Sequence, residues 1–512
     1  MEMRTLFRGG RVRTLSEPAL GDWLLIEDGA VVAWGAGDPP GGAERVLDMG
    51  GGTLVPAFCD AHVHLPATGL YASGLDFRGV TSARAILDAF SSQAESGALL
   101  FGGNFEDPLD KPLTRHDLDS AVGDRPAVLA RADMHSCIVS SALLDGLDVS
   151  GLEGVDVDET GRPTGYLREQ AAAEAWKWFD ANLPRAEQKD AVLAAVRLAY
   201  SKGVASVNEM FVVEWRGWSS LEVLLEAVSE VRLRVDPFIA TTDVRRIVDM
   251  GLPRIGGDWF LDGSFGSHTA WMFEPYDPLP PAGSPPSGIA YRSDDEVVDF
   301  FAEAQATGLQ TGVHAIGDAA IEQALRSWEA VAHRFGLDEV RSLRHRIEHF
   351  ECSSDDHIRR AAQLNIGISL QPAFDRYWGG PEGLYAQRLG WDRARWMNRA
   401  ETMVAAGLTV GAGSDSTVTP LDPFVQMAAL RAHHVPEERL DAEAALRVHT
   451  QGSLALSGSG DEGVLTPGAP ADIVLVDRDP VESSVEELQA AEVLGTWIGG
   501  ARVWPDAERE TP

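Results

Sequence analysis

Two rhythms of apolar and polar residues divide the chain. Over residues 1–55 the segments TLFRGGRVRTL, DWLLIEDGAVVAWG and RVLDMGGGTLV alternate in character and are broken by glycine. Such a pattern predicts small twisted antiparallel strands. The C-terminal segment repeats it in ADIVLVDRDP and VLGTWIGGARVW, so residues 1–55 and 456–512 are expected to combine into one small β domain.

Between the ends the rhythm changes. TLVPAFCDAHVH is followed, from about residue 200 onward, by GVASVNEM, RLRVDPFIA, GDWFLDG, LQTGVHAIGD, SLRHRIEHF, NIGISLQPAF and GLTVGAGSD, each separated from the next by a helical stretch. Eight β-then-α units predict an α/β fold built as a closed parallel (β/α)8 TIM barrel over residues 56–455. The count requires residues 66 to about 190 to be an insertion after the first strand. That segment has its own signals in SARAILDAFSSQAESG and RPAVLARADMHSCIVSSALL, and a helix is expected from about Leu167 through Trp178, which together suggest a lid or side domain over the barrel mouth. EPYDPLPPAGSPPSG predicts a loop after the fourth strand.

Length and charge then narrow the function. A chain of 512 residues with 44% hydrophobic content can bury a large core. Its formal charge of −35 repels phosphate backbones and anionic lipid, which argues against nucleic-acid and membrane-surface partners and favours a solvated acidic surface; a small-molecule substrate is expected on other grounds. The three cysteines, Cys59, Cys137 and Cys352, are too few and too scattered for a disulfide framework. MEMRTLFRGGRVRTL puts Arg and Gly where a signal peptide needs an apolar core, and no later run is long enough to span a bilayer, so a cytoplasmic location is expected.

Polar residues gather at the ends of the predicted strands, where such barrels carry their chemistry. His62 and His64 in DAHVH are two apart, and a strand turns residues i and i+2 to the same face, so both imidazoles can grip one ion. Alone, the pair is also consistent with two hydrogen-bonded polar residues. His314 in TGVHAIGD, His349 in RIEHF and Asp415 in GAGSDS fall at the ends of strands five, six and eight. Together these residues form a set that suits Zn²⁺ or a similar divalent ion, which lowers the pKa of bound water to about 7.

The motifs PAFCDAHVH, GYLRE, GDWFLDGSFGSHTAWMFEPY, GVHAIGD, RIEHFE, GAGSD and GVLTPGAPADIVLVDRDP resemble the amidohydrolase superfamily over nearly the whole chain. Within it they are similar to family 3, the N-substituted formamide deformylase-like branch. The resemblance implies a distorted eight-stranded barrel with a β-sandwich built from both chain ends, a metal-bound hydroxide, and hydrolysis of an amide or related C–N bond. It implies His62, His64 and Asp415 as ligands of one metal, with His314 and His349 on the same or a second metal. It also implies Asp415 as the base that takes the water proton and passes it to the leaving amine.

The sequence departs from that pattern at the group that bridges two metals, where many relatives use a carboxylated lysine at the end of the fourth strand. The four lysines are Lys111, Lys177, Lys189 and Lys202; the first three precede the second barrel strand, and Lys202 falls at its entry. Glu169 in GYLRE is the favoured substitute, Asp258 in GDWFLDG the alternative, read otherwise as a polar residue at a strand entrance, and a single-metal site a third. Asp133 and His135 in ADMHS and Asp262 and His268 in DGSFGSHTA are candidates for substrate contact, though each is equally a turn or loop residue. His345 and Glu348 flank the strand-six ligand and are candidates to orient it, as is Asp318 for His314. Trp176, Trp178, Trp259 and Trp271 are expected to pack rather than cage a substrate, and Cys59 to be buried filler.

Two rival readings remain at this level. Deaminases on this scaffold commonly place a glutamate in HxxE after the fifth strand, and here that position is Gly317. A catalytically silent barrel that binds a metabolite would have to keep buried histidines and carboxylates without a metal, which is costly. A homodimer is compatible with the architecture, and no segment specifies its interface.

Overall fold

A computed structural model describes residues 4–93, 99–106, 108–131, 136–280, 284–458 and 463–505, with the side chain of Glu169 outside the description. Eight parallel strands lie in two sheets. The first sheet places Val204–Val212 between Phe58–Val63 and Arg234–Ala240, and the second runs from Arg254–Ile255 through Gln310–Ala315, Arg346–His349 and Gly367–Leu370 to Val410–Ala412. The sheets meet at both edges. Gly256 N–H donates to the Ile239 carbonyl at 2.8 Å, and Val63 bridges in parallel to Ser416. Phe58–Val63, Val204–Val212 and Gln310–Ala315 are buried along their whole length. Burial on both faces explains why their sequences are apolar runs rather than strict alternations.

The two chain ends form one mixed eight-stranded sheet. Its centre joins Thr53–Pro56 antiparallel to Ile473–Val476. The segment TLVPAFCDAHVH is therefore two strands. Pro56 has no N–H to donate and ends the first ladder; Ala57 donates to the Asp472 carbonyl at 2.9 Å, and Phe58 begins the parallel strand. The expected fourth strand over GDWFLDG is also different. Regular pairing covers Arg254–Ile255, and beyond it only Phe260 bridges to His314. Gly256 and Gly257 stand at φ +85° and +73°, and a Cβ on Gly256 would come 2.1 Å from the Gly312 carbonyl oxygen. Only glycine tolerates that break, which re-aims the chain just before Asp258.

Residues 66 to 190 contain a six-stranded sheet of their own, running from Val155–Val157 to Leu75–Asp76. Its two faces bury separate cores, one around Val128, Leu167 and Phe179, the other around Ile86, Phe90 and Leu129. Trp176 and Trp178 pack against the first of these, and Trp259 lies in the main core. Among the described residues no helix is long and apolar enough to cross a membrane.

Two buried histidines outside the cluster at the C-terminal strand ends set an acid limit on stability. His345 and His449 are held neutral by burial, which lowers both from 6.5 to about 3. An unfolded chain takes up these protons near pH 6.5 while the fold excludes them until about pH 3, so stability falls as pH drops through that window, by about 1.4 kcal/mol per pH unit for each histidine. Urea unfolding at equal metal load should show a smaller loss between pH 6.5 and 5 in His449→Gln than in the native chain. An identical loss in both would refute this contribution.

Candidate metal centre

His62 and His64 leave the first parallel strand on one face, as the i, i+2 spacing requires. The strand is clasped to the segment after Val410–Ala412. Asp60 Oδ1 accepts from the backbone N–H of His62 at 3.1 Å and of Ser414 at 3.0 Å, and Asp415 N–H donates to the His62 carbonyl at 2.8 Å. Burial raises Asp60 to about 6 against the pull of those bonds. Asp415 adopts φ 50°, and His349 and Phe350 adopt 71° and 53°. Left-handed backbone at non-glycine residues costs of order 1–3 kcal/mol each and persists where the surroundings enforce it.

All these side chains converge on Asp258. Its Oδ2 lies 3.4 Å from His62 Nε2 and 3.1 Å from His64 Nε2; its Oδ1 lies 3.7 Å from His314 Nδ1 and 3.6 Å from His349 Nε2. Asp415 Oδ1 stands 3.5 Å from His62 Nε2 and 3.2 Å from His64 Nε2. His62, Asp258 and His349 form one group able to hold an ion, and His62, His64 and Asp415 another. Donors held at about 2.0–2.1 Å by one tetrahedral ion lie roughly 3.3–3.4 Å apart, so the spacing suits shared ligation. His62 Nε2, His314 Nδ1, His349 Nε2 and Asp258 Oδ1 are buried with no hydrogen-bond partner. Orphaned polar atoms facing one another in a dry site are what a divalent cation satisfies.

The electrostatics agree. Burial disfavours a charged His64, but its bonds to Asp258 and Asp415 outweigh that and raise it to about 10. Burial likewise works against ionised Asp258, yet the charge on His62 and the imidazoles of His314 and His349 that face it hold it well below the usual carboxylate range. The carboxylates thus demand positive charge, from protons or from a cation.

The remaining ring nitrogens are fixed from behind. His62 Nδ1 pairs with Glu348 Oε2 at 2.9 Å, His64 Nδ1 with the Met210 carbonyl at 2.8 Å, and His349 Nδ1 with Gln371 Oε1 at 2.7 Å. Each acceptor favours a proton on Nδ1, which leaves Nε2 as the nitrogen that can take either a proton or a cation at the centre. Glu348, fully buried, is gripped by Arg346 through Nε at 2.6 Å and Nη2 at 2.8 Å. Arg346 also donates to Asn208 Oδ1 at 2.5 Å and to the Ala61 carbonyl at 2.6 Å.

Glu348 therefore positions His62, not its neighbour His349. His345 turns the other way, accepting from Thr311 N–H at 3.1 Å, pairing with Gln305 at 3.0 Å and stacking on Trp328. Asp258 is not at a strand entrance; it follows its strand, at the end where the imidazoles gather. Arg346, Asn208 and Gln371 were not among the sequence candidates. The one signal for Arg346 is a charge in a central strand, two residues before Glu348.

The other candidates are scattered. Asp262 is buried and accepts three backbone N–H bonds, from Ile316 at 3.0 Å and from Gly317 and Trp271 at 2.8 Å. It shapes the loop after His314 and has little capacity left for a substrate. Asp318 holds Phe273 N–H at 2.9 Å. His268 is half-buried at φ 57°, its ring edge-on to Tyr276 at 5.1 Å. Asp133 and His135 lie outside the described residues. Glu169 opens the helix Glu169–Asn182. Cys59 is buried, and that burial pushes its thiol far up. The four lysines are all tied elsewhere: Lys111 to Asp117, Lys177 to Glu174, Lys189 to Glu230 and Lys202 to Asp422.

Imidazoles and carboxylates delivered by the ends of parallel strands, with unpartnered nitrogens facing inward, are the machinery of a metal-dependent hydrolase. The sequence profile of the amidohydrolase family matches residues 45–504, and the chain belongs to that family. It is 27% identical to YtcJ of Bacillus subtilis (strain 168), named as an amidohydrolase, over 98% of this chain and 99% of that protein. To the N-substituted formamide deformylase of Arthrobacter pascens it is 25% identical, covering 93% and 94% of the two chains. The structure superposes on an uncharacterized metal-dependent hydrolase from Pyrococcus furiosus with a TM-score of 0.78 and 28% identity, covering 94% of this chain and 100% of the other.

Proposed function

We propose that the protein hydrolyses a C–N bond of an amide, formamide or cyclic amide. The observation that carries this reading is the convergence of four imidazoles, each with a ring nitrogen within 3.7 Å of an Asp258 oxygen, with a second carboxylate, Asp415, within 3.5 Å of two of them. In this reading the two parallel sheets are one distorted (β/α)8 barrel over residues 56–455. Residues 1–55 and 456–512 make the β-sandwich, and about 66–190 the cover. His62, His64, His314, His349 and Asp415 would hold the metal, with Glu169 or Asp258 as a further carboxylate. The donor set favours zinc, whose Lewis acidity polarises a carbonyl and lowers the pKa of water to about 7.

Asp415 moves the proton. Its carboxylate takes one from the water that adds to the carbonyl carbon and returns it to nitrogen as the C–N bond breaks, so an open-chain amide leaves as an acid and an amine in equal amounts and a cyclic amide opens to one product carrying both groups. His268, with Asp133 and His135, would meet the substrate where the cover approaches the barrel. Deamination of the HxxE type has no support: a Cβ on Gly317 would sit 2.0 Å from the Trp271 carbonyl oxygen, so no glutamate fits there.

Zinc- or manganese-loaded protein should hydrolyse some member of an N-formyl, N-acyl and cyclic amide library, releasing equimolar amine and acid from an open-chain substrate or one ring-opened product from a cyclic one, lose that activity to a chelator and regain it with metal. Protein that carried less than about a tenth of an equivalent of metal, with nothing restored on addition, would end the enzyme reading.

A further inference from the structure

We propose that the Asp258 carboxylate is the bridge of a two-ion site. The inference rests on the hydrolase reading above and names the group that joins its metals.

The two oxygens of Asp258 face different partners. Oδ2 is directed at the Nε2 atoms of His62 and His64, at 3.4 and 3.1 Å, where Asp415 Oδ1 also stands. Oδ1 is directed at His314 Nδ1 and His349 Nε2, at 3.7 and 3.6 Å. Six side chains are more than one zinc ion uses, since its sites are almost always four-coordinate. Divided at Asp258, they make two sets: His62, His64, Asp415 and one oxygen on one side, His314, His349 and the other oxygen on the second. The second set has three donors, which leaves a position open, as a catalytic ion requires.

Three further observations point the same way. Asp258 is 4% exposed, and its Oδ1 has no hydrogen-bond partner although it faces two imidazole nitrogens that also have none. Gly256 and Gly257, both in the left-handed region, form the turn that delivers Asp258 to this point. No lysine competes for the role: Lys202, next to the second parallel strand, is paired with Asp422 at 2.6 Å, and the other three pair with acids elsewhere. An aspartate bridge needs no carbon dioxide to form, whereas a lysine bridge must first be carboxylated.

The test is metal stoichiometry and magnetic coupling in the full-length protein, independent of turnover. Metal-free protein reconstituted with Mn²⁺ in carbon-dioxide-free buffer should take up two ions per chain and give the electron paramagnetic resonance signal of a coupled pair. Added bicarbonate should change neither. Asp258→Asn should fall from two ions toward one and lose the coupled signal, while Glu169→Gln should keep both. The proposal is overturned if the native protein stops at one ion, if filling the second site needs bicarbonate, or if Glu169→Gln rather than Asp258→Asn abolishes the coupling. Should Asp258→Asn not fold, the native stoichiometry, the bicarbonate comparison and the Glu169→Gln arm still decide. A protein that holds one ion and hydrolyses amides would sink the bridge and leave the hydrolase reading standing; one that binds no metal would sink both.

Discussion

Asp415→Asn is expected to retain its metal and lose turnover, with kcat falling by about 10²–10⁴-fold, the range typical of a positioned acid–base group. Asparagine is close in size to aspartate and keeps one carbonyl oxygen for the imidazoles that Asp415 Oδ1 faces at 3.5 and 3.2 Å. It also tolerates the left-handed backbone at φ 50° better than most residues. The bond from the backbone N–H to the His62 carbonyl does not depend on the side chain. What the amide lacks is a basic oxygen that can accept a proton and give it up again. Steady-state rates and metal analysis on the same sample separate the two roles. Near-native kcat would remove Asp415 from proton transfer, and loss of most of the metal would make it chiefly a ligand.

Arg346→Met should destabilise the fold by about 3–5 kcal/mol. Arg346 is fully buried, makes four hydrogen bonds through its guanidinium, and lies over the Phe238 ring at 4.7 Å. Burial alone would raise the Glu348 carboxyl; the Arg346 charge, with His62, holds it below its usual value. Removing the cation strands that carboxylate in a fully buried site. The double change Arg346→Met, Glu348→Leu should recover part of the loss, because neither charge then remains uncompensated. Denaturant unfolding of the metal-free forms would measure this without interference from ligand binding. A single-variant loss under about 1 kcal/mol would show that the pair is not structurally decisive.

The sequence made the strand rhythm and most of the residues that meet at Asp258 legible, for a physical reason. Parallel strands buried on both faces must be apolar, so polar residues at their ends stand out, and His62 and His64 share a face by spacing alone. Asp258 was harder to read, because GDWFLDG has the composition of a strand but is severed from one by the left-handed turn at Gly256 and Gly257. The partner of Glu348 was hidden similarly. Strand alternation puts Arg346 and Glu348 on one face, toward His62, while His349 departs from strand geometry at φ 71°. A left-handed residue of this kind has no signature in a single sequence. The six-stranded sheet within residues 66 to 190 escaped because its strands are short and mixed in direction.

The sheet shared by the chain ends also fixes when the centre can exist. Thr53–Pro56, which runs straight into the strand carrying His62 and His64, pairs on one side with Thr5–Arg13 and on the other with Ile473–Val476. Synthesis from the N-terminus at about 5–20 residues per second therefore leaves the first two histidines waiting roughly 20–80 s for the strand that completes this pairing. Contacts between such distant parts of a chain form late. A chain that stops short of its final strands would therefore hold the segment leading to His62 and His64 by one edge only.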